Sequence, residues 1–336
     1  MFLNKRSNGF YYVHYKDEYS KWKSISTKTR QKSVANKYFA SLKTNVSNQT
    51  RQSASLSEFL IYYKEYSLSN HAISTTIRNE YVTDRLIDFL GDVPLRSITA
   101  KDIERYKTER LKKIKATTMN IDLRSIKAIL NKAVDWEYIS SNPIRRVSMV
   151  RIPSSAPVFL SEADVKVLLN NISLPWLKNM IIFAVYTGMR RGEIINLKWE
   201  HLDFENKLVI VKNTKDFSTK NKSERVIPLN DVLLKELKYL ARHNEYVFTN
   251  TFGQMLTPDY VSQCFRDAVR KSGLRNEIHF HSLRHTFASW LVQKQVPIYT
   301  VSKLLGHSNV KVTEIYSHLT NDALRASMER IAINYN

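Results

Sequence analysis

The sequence predicts a multidomain, mainly α protein made of three parts. The parts are a small N-terminal β-sheet plus helix module, a helical domain, and a mixed α/β domain that is mostly helical. Three observations favour this division: an early run of aromatic and β-branched residues, a long stretch with helical spacing of apolar residues, and strand-like runs between later helical patterns. A chain of 336 residues that is 43% hydrophobic is long enough for two or three domains.

The first part spans residues 1–48, where ten lysines and arginines face two acidic residues, a net charge of +8. Residues 9–15 are rich in aromatic side chains and suit a strand, and residues 21–26 suit the returning strand. A helix is predicted from Thr29 to about Leu42, and the polar residues 44–55 are interpreted as a linker. The alternative is a solubilising basic tail, although tails seldom hold so many aromatic residues.

The second part spans residues 53–147 and is predicted to be helical throughout. One segment carries an apolar stripe at helical spacing, formed by Leu123, Ile126, Leu130 and Ala133. Arg124 and Lys127 fall on another face of the same helix. Because the whole chain is strongly basic, with a formal net charge of +21, we expect this face to contact DNA, and the alternative is a charged face that is simply solvated.

The third part spans residues 156–336, after a second linker with two prolines at 148–158. Two strand-like runs, residues 208–211 and 225–229, are separated by a polar tip that is rich in lysine. Helical patterns surround this pair of strands. The pattern therefore predicts a mixed α/β domain with one hairpin.

The charge of the chain points to a polyanionic partner. The formal net charge is +21 and the pI is about 9.8, and binding to phosphates releases condensed counterions. Charge alone does not separate DNA from RNA or an anionic membrane, but no apolar run approaches the roughly 20 residues of a spanning helix. Cys264 is the only cysteine, which excludes a disulfide framework and a Cys-based zinc site. We expect a cytoplasmic, nucleoid-associated protein.

Cofactor chemistry finds no support in the sequence. The seven glycines form neither a GxGxxG nor a GxxxxGK[ST] phosphate loop, so dependence on a nucleotide is not expected. No acidic cluster suited to two metal ions is apparent. We therefore predict neither a cofactor nor a metal ion.

Four pieces of the C-terminal half could carry chemistry together. They are YTGMRRGE with Arg190, the hairpin tip with its lysines, HSLRHTFA with His281 and Arg284, and LLGHS with His307, followed nine positions later by Tyr316. On a helix His281 and Arg284 share one face because they are three residues apart. Taken singly, each residue has a structural explanation, such as a surface ion pair, a core tyrosine or a structural histidine. Their order and spacing together are the informative signal.

In these motifs the sequence resembles the tyrosine recombinase family, which includes phage integrases and chromosome-dimer resolvases. The resemblance is strong over about 160–336, moderate over 56–147 as the family's helical core-binding domain, and weaker over the first fifty residues as an arm-site-binding domain. It implies a catalytic set of Arg190, Lys215, His281, Arg284, His307 and Tyr316. The tip offers three candidate lysines; Lys215 best fits the family position, and Lys220 and Lys222 are predicted to contact DNA.

The resemblance also implies the reaction. Tyr316 would attack a DNA phosphodiester to give a 3′-phosphotyrosyl link and a free 5′-hydroxyl, without metal or ATP. Arg190 and Arg284 would clamp the non-bridging oxygens, and Lys215 would protonate the leaving oxygen. His281 would assist proton transfer and His307 would bind a phosphate oxygen.

One further site residue, three positions after Arg190, and several partners are also predicted. Glu193 would orient Arg190, with a plain surface glutamate as the alternative. The partners would be double-stranded DNA, further copies in a homo-tetramer on DNA, and accessory DNA-bending proteins, but no membrane. The segment Asn321–Asn336 would dock on a neighbouring protomer or pack on its own domain.

Two other functions are compatible with parts of this pattern. A type IB topoisomerase shares the chemistry but only relaxes supercoils, and a basic N-terminal module suits a site-specific integrase better. A non-catalytic DNA-binding regulator would have lost a catalytic residue, and none is missing here. A site-specific recombinase is therefore the predicted function.

Overall fold

The computed structural model describes residues 1–16, 21–153, 156–213 and 224–320. The chain forms two compact units, residues 1–153 and 154–336. Each unit has a large hydrophobic core of its own. The chain is mainly helical with a small N-terminal sheet, which confirms the predicted fold class. The division into domains at 1–48, 53–147 and 156–336 stays a prediction.

The N-terminal module is a three-stranded antiparallel sheet followed by a helix. Its strands are β1 (Phe2–Lys5), β2 (Tyr11–Lys16) and β3 (Trp22–Ser26), with β2 in the centre. Strands β2 and β3 were predicted from the sequence, and β1 was not. Val13 of β2 pairs with Leu3 and Ile25 on either side, and its side chain is fully buried. Val13 is therefore the buried centre of this small sheet.

Helix α1 (Lys32–Ser53) is longer than predicted. The interpretation of residues 44–55 as a linker was wrong, because the helix continues to Ser53. This stretch contains serine, threonine, asparagine and glutamine but neither glycine nor proline. Extending an existing helix by such residues costs only tenths of a kcal/mol each, roughly 0.5. Polarity alone did not identify a helix end here.

The rest of the first unit is a helical domain. Its helices are α2 (Leu56–Asn70), α3 (Ile73–Leu90), α4 (Ala100–Leu111) and α5 (Ala116–Asp135). The predicted apolar stripe of α5 is buried, since Leu123, Ile126, Leu130 and Ala133 are all at most 1% exposed. Arg124 and Lys127, on the other face, are exposed. The helical period predicted from the sequence is confirmed for α5.

The second unit holds the mixed part of the fold. Its helices are α6 (Glu162–Asn170), α7 (Pro175–Thr187), α8 (Arg191–Ile195), α9 (Asp231–Lys238), α10 (Pro258–Lys271), α11 (Phe280–Gln293) and α12 (Ile298–Leu305). Helix α7 is buried over most of its surface and packs against α11. A 3-10 segment, Glu314–Thr320, follows α12 and also packs on α11. Helix α11 thus lies at the centre of the elements that carry the motifs.

A three-stranded antiparallel sheet joins these helices. It consists of β4 (Leu202–Asp203), β5 (Leu208–Val211) and β6 (Arg225–Pro228) in that order. The two predicted strands are confirmed as β5 and β6, and Val211 pairs with Arg225 at the open end of the hairpin. The predicted lysine-rich tip and the segment Asn321–Asn336 lie outside the described residues, apart from Asn213. Among the described residues, none of the helices combines the length and apolar character needed to cross a membrane.

Candidate active site

Arg190 lies at the junction between α7 and α8. Helix α7 ends at Thr187, and Gly188 takes the left-handed conformation with φ of 62°. The ring of Phe287 lies so close to Gly188 that a Cβ atom there would overlap it. Because the chain turns sharply at this glycine, Arg190 becomes the N-cap residue of α8. The turn therefore places Arg190 at the start of a helix.

Glu193 holds Arg190 in place from the first turn of α8. Its Oε2 accepts a hydrogen bond from the backbone N–H of Arg190 at 2.8 Å, and its Oε1 accepts from Arg190 Nη1 at 2.9 Å. The Glu193 side chain is only 1% exposed, whereas that of Arg190 is 20% exposed. The geometry thus leaves the arginine accessible while its carboxylate partner is buried.

A second arginine binds the same carboxylate. Arg225, the first residue of β6, donates from Nη1 to Glu193 Oε1 at 3.1 Å and from Nη2 to Oε2 at 2.6 Å. Its Nε donates to the Leu304 carbonyl at 3.0 Å. Burial opposes ionisation of Glu193, but Arg225 and then Arg190 outweigh it, so the pKa of this carboxyl lies below its ordinary value. Glu193 is therefore an anion shared by two guanidinium groups.

Arg284 projects from α11 into the same region and is 3% exposed. Its Nη1 donates to the Gly188 carbonyl at 2.7 Å and its Nη2 to the Leu305 carbonyl at 2.6 Å. Burial, and next the positive charges of Arg190 and Arg225, lower its pKa to about 9. Arg284 therefore stays charged at neutral pH while it ties the end of α7 to the end of α12. We call Arg190, Arg225 and Arg284 the arginine cluster.

Three histidines border the arginine cluster: His281, His285 and His307, here called the site histidines. Each has its pKa lowered to about 4, chiefly by loss of hydration and then by neighbouring charges. His281 keeps solvent exposure on its outer side. His307 follows α12 directly, and its Nδ1 lies 2.7 Å from the Thr313 hydroxyl. All three rings are therefore neutral at pH 7.

Tyr316 lies in the 3-10 segment Glu314–Thr320 and is only 2% exposed. Its ring belongs to a small apolar cluster with residues of α11 and α12: Phe287, Ala288, Val292, Val301 and Leu305. Its hydroxyl lies 2.6 Å from Nδ1 of His285. Burial raises the pKa of Tyr316 to about 12, although the charge of Arg284 works in the opposite direction. The hydroxyl thus lies within reach of the charge of Arg284 but is closed to solvent.

The fold brings five of the six predicted catalytic residues together. The charges of Arg190 and Arg284 both act on His281 and His307, and Tyr316 and Arg284 act on each other. The sixth, Lys215, lies outside the described residues, as do the predicted DNA contacts Lys220 and Lys222. The paired ends of β5 and β6 bound the segment that contains all three lysines.

Two residues of this site were missed by the sequence analysis. Arg225 was assigned only to a strand, because its partner Glu193 is 32 positions away and no local pattern links them. His285 stood inside the motif HSLRHTFA, but its contact with Tyr316 spans 31 positions. Only its place directly after Arg284 could have drawn attention to it. Contacts of this range require the tertiary structure.

The predicted DNA contacts of the first unit are exposed on α5. Arg124 and Lys127 are three residues apart and therefore share one helix face. Arg124 Nε donates to the Asn120 carbonyl at 3.1 Å, which directs its side chain along the helix. Exposure is compatible both with DNA contact and with a solvated face, so the DNA contact stays a prediction.

Two family models match the chain. The model described as "Phage integrase family" matches residues 158–322, and that described as "Phage integrase, N-terminal domain" matches residues 52–151. The tyrosine recombinase XerC of Bacillus pumilus is 29% identical over 287 residues, 80% of this chain and 92% of the relative. The tyrosine recombinase XerA of Pyrococcus furiosus is 29% identical over 244 residues, 70% of this chain and 81% of the relative.

Solved structures share the fold. The Tn1549 transposon integrase in complex with a circular intermediate DNA has a TM-score of 0.73 at 23% identity and covers 83% of this chain and 100% of its own. A lambda integrase dimer bound to a COC′ core site has a TM-score of 0.69 at 22% identity and covers 96% of this chain and 95% of its own. A lambda integrase tetramer bound to a Holliday junction has a TM-score of 0.67 at 22% identity and covers 91% of this chain and 95% of its own.

Proposed function

The chain belongs to the phage integrase family and is a site-specific tyrosine recombinase, an enzyme that cleaves and rejoins DNA, and we propose the following roles for its side chains in that reaction. Tyr316 is the nucleophile, and Arg190 and Arg284 bind the phosphate that it attacks. The observation that carries this assignment is the pair of bonds from Arg284 to the Gly188 and Leu305 carbonyls. These bonds bring Arg190, Arg284 and His307 to one place.

The attack on phosphorus needs stabilisation of negative charge. Arg190 and Arg284 present guanidinium groups to the two non-bridging oxygens of the scissile phosphate, and His307 binds one of these oxygens. Groups of this kind contribute about 3–4 kcal/mol each when they act on developing charge in a site that excludes water. The planar guanidinium suits a phosphate because it offers two parallel donors. Arg190 and Arg284 therefore supply the positive charge that the pentacoordinate phosphorus requires.

The protons move in two transfers. The phenol O–H bond of Tyr316 breaks as its oxygen bonds to phosphorus, and His281, which is neutral at pH 7, accepts the proton. The bond from phosphorus to the 5′-oxygen breaks at the same time, and Lys215 gives that oxygen a proton. The products are a 3′-phosphotyrosyl link and a 5′-hydroxyl. A 5′-hydroxyl from a partner duplex reverses the step, since the energy of the phosphodiester is kept.

Tyr316 must leave its pocket before it attacks. Burial raises its pKa from 10.0 to about 12. A rise of this size makes the phenolate less favourable by on the order of 3 kcal/mol, roughly a hundredfold. We propose that the described position is a resting state and that binding of DNA releases the 3-10 segment from α11. This arrangement keeps the nucleophile inactive away from DNA.

The partners follow from the same proposal. The Tn1549 and lambda integrase structures contain DNA, and one of them is a tetramer on a Holliday junction. We propose that this chain binds double-stranded DNA and works as a homo-tetramer on it, at the nucleoid in the cytoplasm. Exposed Arg124 and Lys127 and the hairpin lysines would add phosphate contacts. Accessory DNA-bending proteins are a further partner class to test by their effect on the reaction.

A covalent capture experiment tests the nucleophile. The protein is incubated with a pool of nicked duplexes of random sequence, in which the short 3′ fragment diffuses away after cleavage and traps the enzyme on DNA. Adducts that survive denaturation are purified and sequenced, and the enriched sequence then serves as the substrate. We expect an adduct with the unmodified protein and none with Tyr316→Phe, which keeps the ring and its packing.

Binding distinguishes a loss of chemistry from a loss of folding. Tyr316→Phe should bind the enriched duplex with unchanged affinity in a gel-shift assay, because the hydroxyl is not part of the binding surface. If the unmodified protein yields no adduct on any sequence although it binds DNA, a non-catalytic regulator is favoured. If an adduct forms but supercoiled DNA is relaxed without joining of two sites, the topoisomerase function is favoured. Neither alternative is favoured at present, since the curated relatives are named tyrosine recombinases.

A further inference from the structure

Neither the motifs nor the proposed chemistry gives Arg225 a role. Each of its three guanidinium nitrogens donates a hydrogen bond within the protein. Nη1 and Nη2 donate to Glu193, and Nε donates to the Leu304 carbonyl. Its side chain is 8% exposed. Because each nitrogen already donates to a protein group and the side chain is buried, Arg225 is arranged to hold protein groups and not to bind a phosphate directly.

The contacts of Arg225 connect two of the motifs. Through Glu193 it reaches Arg190, which shares that carboxylate. Through the Leu304 carbonyl it holds the last turn of α12, whose final carbonyls lack partners within the helix. The next carbonyl of that helix end accepts from Arg284. One side chain therefore fixes Arg190 relative to the segment that carries His307.

Close packing at the helix end supports the same arrangement. Gly306 follows α12 with φ of 66°, and a Cβ built on it would lie 2.7 Å from Cδ of Arg225. The Arg225 side chain thus occupies the space that any other residue would need. His307 comes directly after this glycine, so a shift of Arg225 would be passed to His307.

Charge provides a second reason for Arg225. If Glu193 had Arg190 as its only partner, the pair would carry no net charge and would attract a phosphate weakly. With Arg225 on the same carboxylate, the three groups together carry one positive charge. The bidentate geometry of the Arg225–Glu193 pair directs that carboxylate, which in turn fixes the guanidinium of Arg190.

We propose that Arg225 is a positioning residue for strand cleavage, which acts through Glu193 and the Leu304 carbonyl to hold Arg190 and His307 around one phosphate. The proposal rests on the proposed function of the site. It assigns Arg225 no contact with DNA. Lysine cannot replace it, because a single ammonium group cannot span Glu193 and the helix end together.

The test compares two scissile groups in single-turnover adduct formation at saturating DNA. One substrate carries the normal phosphodiester and the other a methylphosphonate, which is neutral and needs no charge clamp. We expect Arg225→Gln to slow cleavage of the phosphodiester roughly 100-fold, as for loss of one oxyanion donor, and to slow the methylphosphonate by less than about 10-fold. Arg190→Ala should give the same pattern. Arg225→Lys should remain close to Arg225→Gln.

A double variant tests whether the two arginines act as one unit. Arg190→Ala combined with Arg225→Gln should be slower than Arg190→Ala alone by much less than the roughly 100-fold effect of Arg225→Gln by itself, because Arg225 then has only His307 left to position. Arg270→Gln, an arginine whose side chain is 71% exposed, is the control and should match the unmodified protein on both substrates. Thermal unfolding of every variant monitors the fold.

Three results would overturn the proposal. Rescue by Arg225→Lys would mean that only its charge matters. Equal losses on both substrates would indicate a purely structural role, and additive losses in the double variant would mean that it acts independently of Arg190. Should Arg225→Gln fail to fold, Glu193→Gln breaks the same link and must show the same substrate dependence. Absence of an adduct with the unmodified protein would instead refute the proposed function itself.

Discussion

Replacement of Arg284 by alanine should remove a catalytic group and a structural one at once. For a purely catalytic arginine, the sequence predicts intact folding and almost no cleavage. The structure changes this expectation, because the side chain is 3% exposed and donates to two main-chain carbonyls at 2.7 and 2.6 Å. Loss of Arg284 therefore disconnects the ends of α7 and α12.

The size of both effects can be worked out from these contacts. Hydrogen bonds made by a charged group contribute about 1.5–3 kcal/mol each, and the cost of burying the charge offsets part of that, so a net loss of about 3 kcal/mol is expected. In a unit of this size each kcal/mol lowers Tm by about 2–4 °C, which gives a decrease of about 6–12 °C. Cleavage should fall roughly 100- to 1000-fold through loss of charge stabilisation.

The assay pairs thermal unfolding by circular dichroism with single-turnover adduct formation well below either Tm. Arg275→Ala is the matched control, because Arg275 also donates to a carbonyl, that of Phe159 at 3.1 Å, but is exposed. Its Tm should change by less than about 3 °C, since exposed contacts contribute little. An unchanged Tm for Arg284→Ala, or normal cleavage by a destabilised variant, would refute the double role.

Four further outcomes are expected. The pKa of each site histidine is lowered to about 4, below the unfolded value of 6.5. The free energy of unfolding should therefore reach its highest value above pH 6.5 and decrease as the pH falls toward 4. Urea unfolding at pH 7 and pH 5 checks this, and an equal free energy of unfolding at both pH values would contradict it. Gly188→Ala should lose about 2–4 kcal/mol in urea unfolding, from the left-handed backbone and overlap with Phe287. Gly273→Ala, with φ of 66° and open space around it, should lose only about 1–2 kcal/mol, so equal losses would exclude the overlap. Lys127→Ala should reduce the slope of the logarithm of the DNA-binding constant against the logarithm of the salt concentration by about one, and an unchanged slope would indicate that this face of α5 is solvated. EDTA should leave strand cleavage unaffected, and a strict need for magnesium would count against the proposed chemistry.

The resting position of Tyr316 connects the fold to control of the reaction. In the described state, the apolar cluster around its ring and the 2.6 Å contact with His285 both hold the hydroxyl. In the resting state that we propose, Tyr316 would cleave DNA only after release from this pocket. The proposed release would disturb the small apolar cluster around Tyr316 and leave the separate, larger core of the unit in place.

Much of the molecule follows from local signals in the sequence. The stripe of α5 has the helical period, β2 and β3 are rich in aromatic residues, and Gly188 and Gly306 end helices in the left-handed conformation. Such features depend on residues within a few positions of one another, so a pattern predicts them. The same holds for the order and spacing of the motifs, which indicated the site residues and the family.

The tertiary structure alone decided how these pieces meet. That α1 continues to Ser53 depends on the absence of a helix breaker, which polarity did not reveal. The sharing of Glu193 by Arg190 and Arg225, and the contact of Tyr316 with His285, join residues up to 32 positions apart. Periodicity carries no information on such pairs, because they form only when separate elements pack. The sequence therefore determined which side chains are available for the chemistry. Packing around α11 decided which of them lie close together, and it buries Tyr316.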